Sequence, residues 1–96
     1  MNEKDLFKQK FQAQLDEWKA DIAKLKAKAS GAEADVQIAI NKQVEVLERR
    51  LEEARAKLSE LAGASEEAWD SVKKGAESAW VSLKSAVNDA VSRFKD

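Results

Sequence analysis

Apolar residues recur along this 96-residue chain at intervals of four and three, and no proline interrupts them. One stripe runs Phe11, Leu15, Trp18, Ile22, Leu25, Ala29, with Phe7 one four-residue step before it. A second runs Ile40, Val44, Leu47, Leu51, Ala54, Leu58, Leu61. Steps that alternate between four and three average ~3.5 residues, the period that keeps one face of an α-helix turned toward a neighbouring helix. Residues are 36% charged and 44% apolar, the balance of long helices and coiled coils and not of strands or disorder.

A third stripe keeps a different beat. Trp69, Val72, Ala76, Trp80, Leu83, Val87, Val91 and Phe94 follow an eleven-residue period, and the residues themselves repeat. Ala68-Trp69, Ala79-Trp80 and Ala90-Val91 correspond, as do Val72, Leu83, Phe94 and Lys73, Lys84, Lys95. Eleven residues over three turns give ~3.67 per turn, close to a straight or slightly right-handed helix.

Two places in the chain read as breaks. At Ala62-Gly63-Ala64-Ser65 a glycine can cap an ending helix and a serine can start the next, with Glu66, Glu67 and Asp70 favoured near that start. At Ser30-Gly31-Ala32-Glu33 the residues fit a capping box, with Ser30 and Glu33 as partners. Yet Ala29, Ala32, Val36 and Ile40 carry the apolar seam across this point, and one glycine costs a helix only about 1 kcal/mol.

The fold class is therefore all-α, a coiled-coil helical bundle. The expected organisation is a heptad region over 1–62 and an amphipathic helix with the eleven-residue repeat over 66–96, together one structural unit. The unbroken seam favours one long helix, kinked or straight at Ser30-Gly31, plus a shorter C-terminal helix. Such a helix must self-associate to cover its seam, so a homo-oligomer is expected. An in-register parallel pair would set Arg50 against Arg55 of its mate, which favours antiparallel or higher-order packing. A monomeric antiparallel three-helix bundle is the alternative.

The charges nearly cancel, to a net −1, and no stretch gathers enough lysine and arginine to follow a nucleic-acid backbone. There is no histidine, cysteine or tyrosine. The commonest general base, the thiolate nucleophile and the usual zinc ligands are thus missing, and no glycine-rich phosphate loop is present. The carboxylate pairs Asp16-Glu17, Glu52-Glu53 and Glu66-Glu67 are adjacent in sequence, and adjacent residues on a helix do not face each other. No catalytic residue, metal site or cofactor is expected, nor any small-molecule substrate. Residues 1–21 contain no continuous apolar run, so neither a signal peptide nor a membrane span is expected there, and the expected location is cytoplasmic.

What remains is interaction. The residues expected to form the core or an interface are those of the stripes: Phe11, Leu15, Trp18, Ile22 and Leu25; Ile40, Val44, Leu47, Leu51, Leu58 and Leu61; Trp69, Val72, Trp80, Leu83, Val87 and Phe94. Burial between helices is the plainer reading of the three tryptophans. Residues 66–95, however, set Trp, Val and Phe opposite Ser, Lys and Asp, and such a helix can also lie on a membrane surface. The absence of a basic belt counts against anionic lipid as its partner. Gly75 and the serines at 71, 78, 82, 85 and 92 weaken this helix in isolation, so it depends on packing or a partner.

The run Phe11-Gln12-Ala13-Gln14-Leu15-Asp16-Glu17-Trp18, then Leu25 to Ala29, and the closing Ala68-Trp69-Asp70, Ala79-Trp80 and Arg93-Phe94 resemble small bacterial coiled-coil-domain proteins. These are largely uncharacterised, and in some bacteria they are associated with salt or other stress. The resemblance implies a continuous helix across residue 31, where such proteins usually lack glycine, and it implies no active site. The repeat over 68–96 is also similar to those of late-embryogenesis-abundant and apolipoprotein-like helices, which implies protection of membranes or proteins under stress. The functional expectation is a non-catalytic, self-associating structural or interaction protein, with reversible lipid-surface binding as the alternative.

Overall fold

In the computed structural model, which describes residues 2–95, every regular element is a helix: α1 (Glu3–Ser30), α2 (Ala34–Ala62) and α3 (Trp69–Arg93). Met1 and Asp96, the outer ends of the two regions drawn from the sequence, lie outside the described residues. The all-α bundle is present, and the chain builds it from three helices and not from one long helix plus one short.

The start of α1 is set locally. Asn2 accepts the Asp5 amide at 2.9 Å through its side chain, and Glu3 and Asp5 occupy the first turn. A side-chain cap of this kind satisfies an amide that has no partner within the helix. At the far end the helix stops where the long-helix reading had it continue. Gly31 and Ala32 turn their amides to Lys28 and Ala29, three residues back, and Glu33 is extended at φ −62°, ψ 156°. The capping box does not form: the Ser30 hydroxyl donates to Ala27 O at 2.9 Å, and Glu33 makes no side-chain cap bond.

Magnitudes explain the break. Interrupting the helix at a glycine costs a few backbone bonds of about 1 kcal/mol each. Folding back lets α1 and α2 bury their stripes on each other, at roughly 1.5–3 kcal/mol for each large side chain. A single continuous helix of about sixty residues would be about 90 Å long. The molecule measures 51 × 21 × 17 Å.

Contacts at the two ends fix the course of the chain as up, down, up. Lys4 meets Glu66 and Phe7 meets Trp69 at one end, while the Lys28 ammonium donates to Phe94 O at the other. Helices α1 and α3 therefore run parallel, and α2 runs antiparallel to both. Ser65 caps the entry to α3 as its sequence position suggests, its hydroxyl accepting the Ala68 amide at 3.2 Å. The regular helix is reached at Trp69, whose amide already bonds Ser65 O at 2.9 Å.

The third stripe packs differently from its repeat. The buried residues of α3 are Trp69, Ala76, Leu83, Val87 and Ala90, a seven-residue beat at Trp69, Ala76, Leu83 and Ala90. Val91, the third member of the Trp69–Trp80 series, is 41% exposed. Against a seam that repeats every ~3.5 residues, an eleven-residue series advances about 50° at each repeat. Two repeats carry it out of the seam that the heptad helices α1 and α2 present, and Ala90 takes its place.

Candidate interaction surface

All seventeen residues singled out from the stripes reach one core cluster. On α1, Phe11, Leu15, Trp18, Ile22 and Leu25 are buried; on α2, Ile40, Val44, Leu47, Leu51 and Leu61. On α3, Trp69, Leu83 and Val87 are buried, whereas Leu58, Val72, Trp80 and Phe94 are half-buried and pack against the cluster. No polar or charged residue is buried among the described residues.

Between α1 and α3 the contact is made by aromatic rings. Trp80 meets Phe11 at 5.1 Å and Trp18 at 5.4 Å between centroids, both edge to face. Phe7 meets Phe11 at 6.1 Å and Trp69 at 6.4 Å. Edge-to-face pairs set the positive rim of one ring on the negative face of another and add about 0.5–1.5 kcal/mol each to the burial. Two lysines close the cluster from outside: Lys4 lies 5.2 Å from the Trp69 ring and Lys73 lies 5.2 Å from the Phe7 ring. Lys4 also reaches the Glu66 carboxylate at 2.8 Å. That hydrogen bond and charge hold Glu66 below the usual carboxylate range.

These lysine contacts had no signal in the sequence, because they join helices that no periodicity relates. Opposite charges four apart on one helix can pair, and Glu53 and Lys57 stand at that spacing on α2. Lys57 lies 3.7 Å from Glu60, three residues on.

Three apolar features face outward. Val81, 65% exposed, sits with Trp80, Phe7, Lys10 and Glu77 around a groove of about 260 Å³. At the opposite end Val36 and Ile38 are 43% and 55% exposed on the first turns of α2. Val36, Ala32, Ala39, Ile40 and Phe94 contribute to a cleft of about 620 Å³ beside the α1–α2 turn. Gly75 is not a point of close helix approach: a methyl group there would meet only Lys57 Cδ, at 4.0 Å.

Among the described residues no cluster of three or more His, Cys, Asp or Glu side chains is arranged to hold a metal ion, and no helix is long and apolar enough to cross a membrane. Comparison with family models, with curated proteins and with solved structures gives no match.

Proposed function

We propose that this chain is a non-catalytic structural or interaction protein of the coiled-coil type, self-associating, cytoplasmic and stress-linked. The observation that carries this reading is the aromatic cluster. The apolar faces of all three helices, with Trp18 and Trp69 buried and Trp80 of α3 packed on Phe11 and Trp18 of α1, are turned on one another. A helix whose apolar face is already covered has no large face left to lay into lipid, since interfacial binding scales with the apolar area it can bury. The module then acts through its surface.

Lipid-surface binding through residues 66–95 stays as a second reading because Trp80 is half-buried and Val81 beside it is exposed. It requires α3 to leave the bundle. Tryptophan emission and circular dichroism, with and without vesicles of mixed zwitterionic and anionic lipid, separate the two. The interaction reading expects blue-shifted emission and helicity that vesicles leave unchanged. A vesicle-dependent change in both would sink it in favour of the lipid reading.

A further inference from the structure

Two of the helix pairs in this bundle are closed and one is open. The backbones of α1 and α2, and of α2 and α3, lie close at many places, whereas those of α1 and α3 approach at few. Large rings span the wider interval: Trp80 of α3 reaches Phe11 and Trp18 of α1. In an up-down-up-down four-helix bundle the first and third helices are likewise parallel and face each other across a diagonal of the core. The chain has that layout with one corner empty.

The empty corner is a groove. Three clefts, of about 260, 450 and 430 Å³, follow one another between α1 and α3, and no residue of α2 lines any of them. On α1 the lining includes positions 7, 10, 14, 17, 21, 24 and 28, in steps of three and four. That is the beat with which a helix faces a neighbouring helix, and past Phe7 it is a different stripe from the one buried against the core. The floor is apolar, with Phe7, Leu25, Trp80 and Phe94, and Val81 and Val91 are left 65% and 41% exposed along it.

The rim is basic. Lys10, Lys24 and Lys95 line the groove, and Lys73 lies over the Phe7 ring. Lys84 stands on α3 seven residues from both Glu77 and Val91, which are themselves lining residues. Against these five, and apart from Lys28, which donates to Phe94 O, the lining carboxylates are Glu17, Asp21 and Glu77. The whole chain carries a net −1, so the fold gathers positive charge on this face from two separate helices.

We infer that the groove seats one helix of a partner protein, apolar along its seam and acidic on its flanks, as the fourth helix of the bundle. This deepens the interaction reading above and rests on it, though not on self-association. The lined stretch of α1, from Phe7 to Lys28, is about 30 Å long and takes about twenty residues of helix. A seam of apolar residues covers Trp80, Val81 and Val91, while acidic flanks meet the lysines as oppositely charged flanks do in coiled coils. A second copy of this chain fits poorly. Lysines stand toward both ends, Lys10 and Lys73 at one and Lys24 and Lys95 at the other, so two grooves laid together about a two-fold axis would oppose like charges. Each helix of a folded second copy has also buried its own apolar face. A bilayer is flat where this surface is concave, and Glu17, Asp21 and Glu77 repel an anionic one.

The probe is a labelled peptide of about twenty residues, with leucine and alanine at the heptad seam and glutamate on both flanks. A control peptide carries lysine on the flanks. Anisotropy against the full chain should show the glutamate peptide bound in the micromolar range, roughly tenfold or more tighter than the control, and loosened by salt. Circular dichroism of the mixture should show helix beyond that of the separate components. Val81→Asp and Val91→Asp change exposed side chains, so each should unfold as the wild type does, yet loosen the glutamate peptide roughly tenfold. Val36→Asp, exposed on α2 and outside the groove, should bind it as the wild type does.

The groove is overturned by a glutamate peptide that fails to bind at millimolar concentration or binds no better than the control. Unchanged binding to Val81→Asp and Val91→Asp overturns it as well. If tryptophan emission and helicity then ignore vesicles of mixed zwitterionic and anionic lipid, the interaction reading stands without the groove. If they shift on those vesicles, both fall together.

Discussion

The indole rings of Trp18 and Trp80 meet edge to face, centroids 5.4 Å apart with 73° between planes, and through them the first helix is joined to the last. Phe11 completes the contact on the other side of Trp80 at 5.1 Å. Because Trp80 is half-buried, its truncation should cost about 3 kcal/mol, the lower end of the range for large aromatic side chains. Trp80→Phe should retain part of that. Urea unfolding followed by circular dichroism measures both, and a change below about 0.5 kcal/mol for Trp80→Ala would mean that this ring is not part of the core.

The eleven-residue repeat and the heptad seam make opposite predictions at two neighbouring residues. Ala90 is 1% exposed and Val91 is 41% exposed. Ala90→Leu inserts volume where α3 meets its neighbours and should destabilise the chain by about 1–3 kcal/mol. Val91→Ser should stay within about 0.5 kcal/mol of the wild type, as surface changes do. If instead Val91→Ser is the costlier change, the seam of α3 follows the repeat and not the seven-residue beat.

Much of the core was legible because periodicity is a local property. The four-and-three steps of Phe11 to Ala29 and of Ile40 to Leu61 name the inward face of each helix without reference to any partner. The turn at 31–33 was not legible, for a physical reason. Gly31 adopts no conformation that requires glycine, Ser30 bonds back into its own helix, and the seam keeps its phase across the gap. The stop is decided by burial between α1 and α2, a tertiary effect larger than any local signal there. Likewise the exposure of Val91 follows from the seam that α1 and α2 present, which the repeat alone does not contain. Lys4 became visible as part of the aromatic cluster only once the ends of α1 and α3 were side by side.

Gly75 is a correctable weakness in α3. It lies in the middle of the helix, at the usual helical backbone, with room for a methyl group beside Lys57 Cδ. Gly75→Ala removes backbone freedom from the unfolded chain and closes no contact below ordinary van der Waals distance. The expected gain is about 0.5–1 kcal/mol. A thermal melt that moves down instead would show that α3 approaches α2 more closely there than the folded geometry allows for.

The contact of Lys4 with Glu66 sets the direction of a titration. The ammonium of Lys4 donates to the carboxylate at 2.8 Å and keeps it charged below the usual range for a glutamate. A carboxyl whose folded value is depressed adds stability above its unfolded value and loses it as the pH falls through the folded value. Glu66 is fully exposed, so this contribution is small and screened by salt. Two measurements follow. Carbon-detected titration of the Glu66 carboxyl should place it below the usual glutamate range, and Lys4→Ala should return it to that range. The stability difference between wild type and Glu66→Gln should shrink as acid protonates Glu66, and shrink as well on adding salt at neutral pH. Were Glu66 to titrate in the usual glutamate range in the wild-type chain, Lys4 would not hold it, and the joint between the start of α1 and the entry to α3 would rest on the Phe7 and Trp69 rings and the lysines set over them.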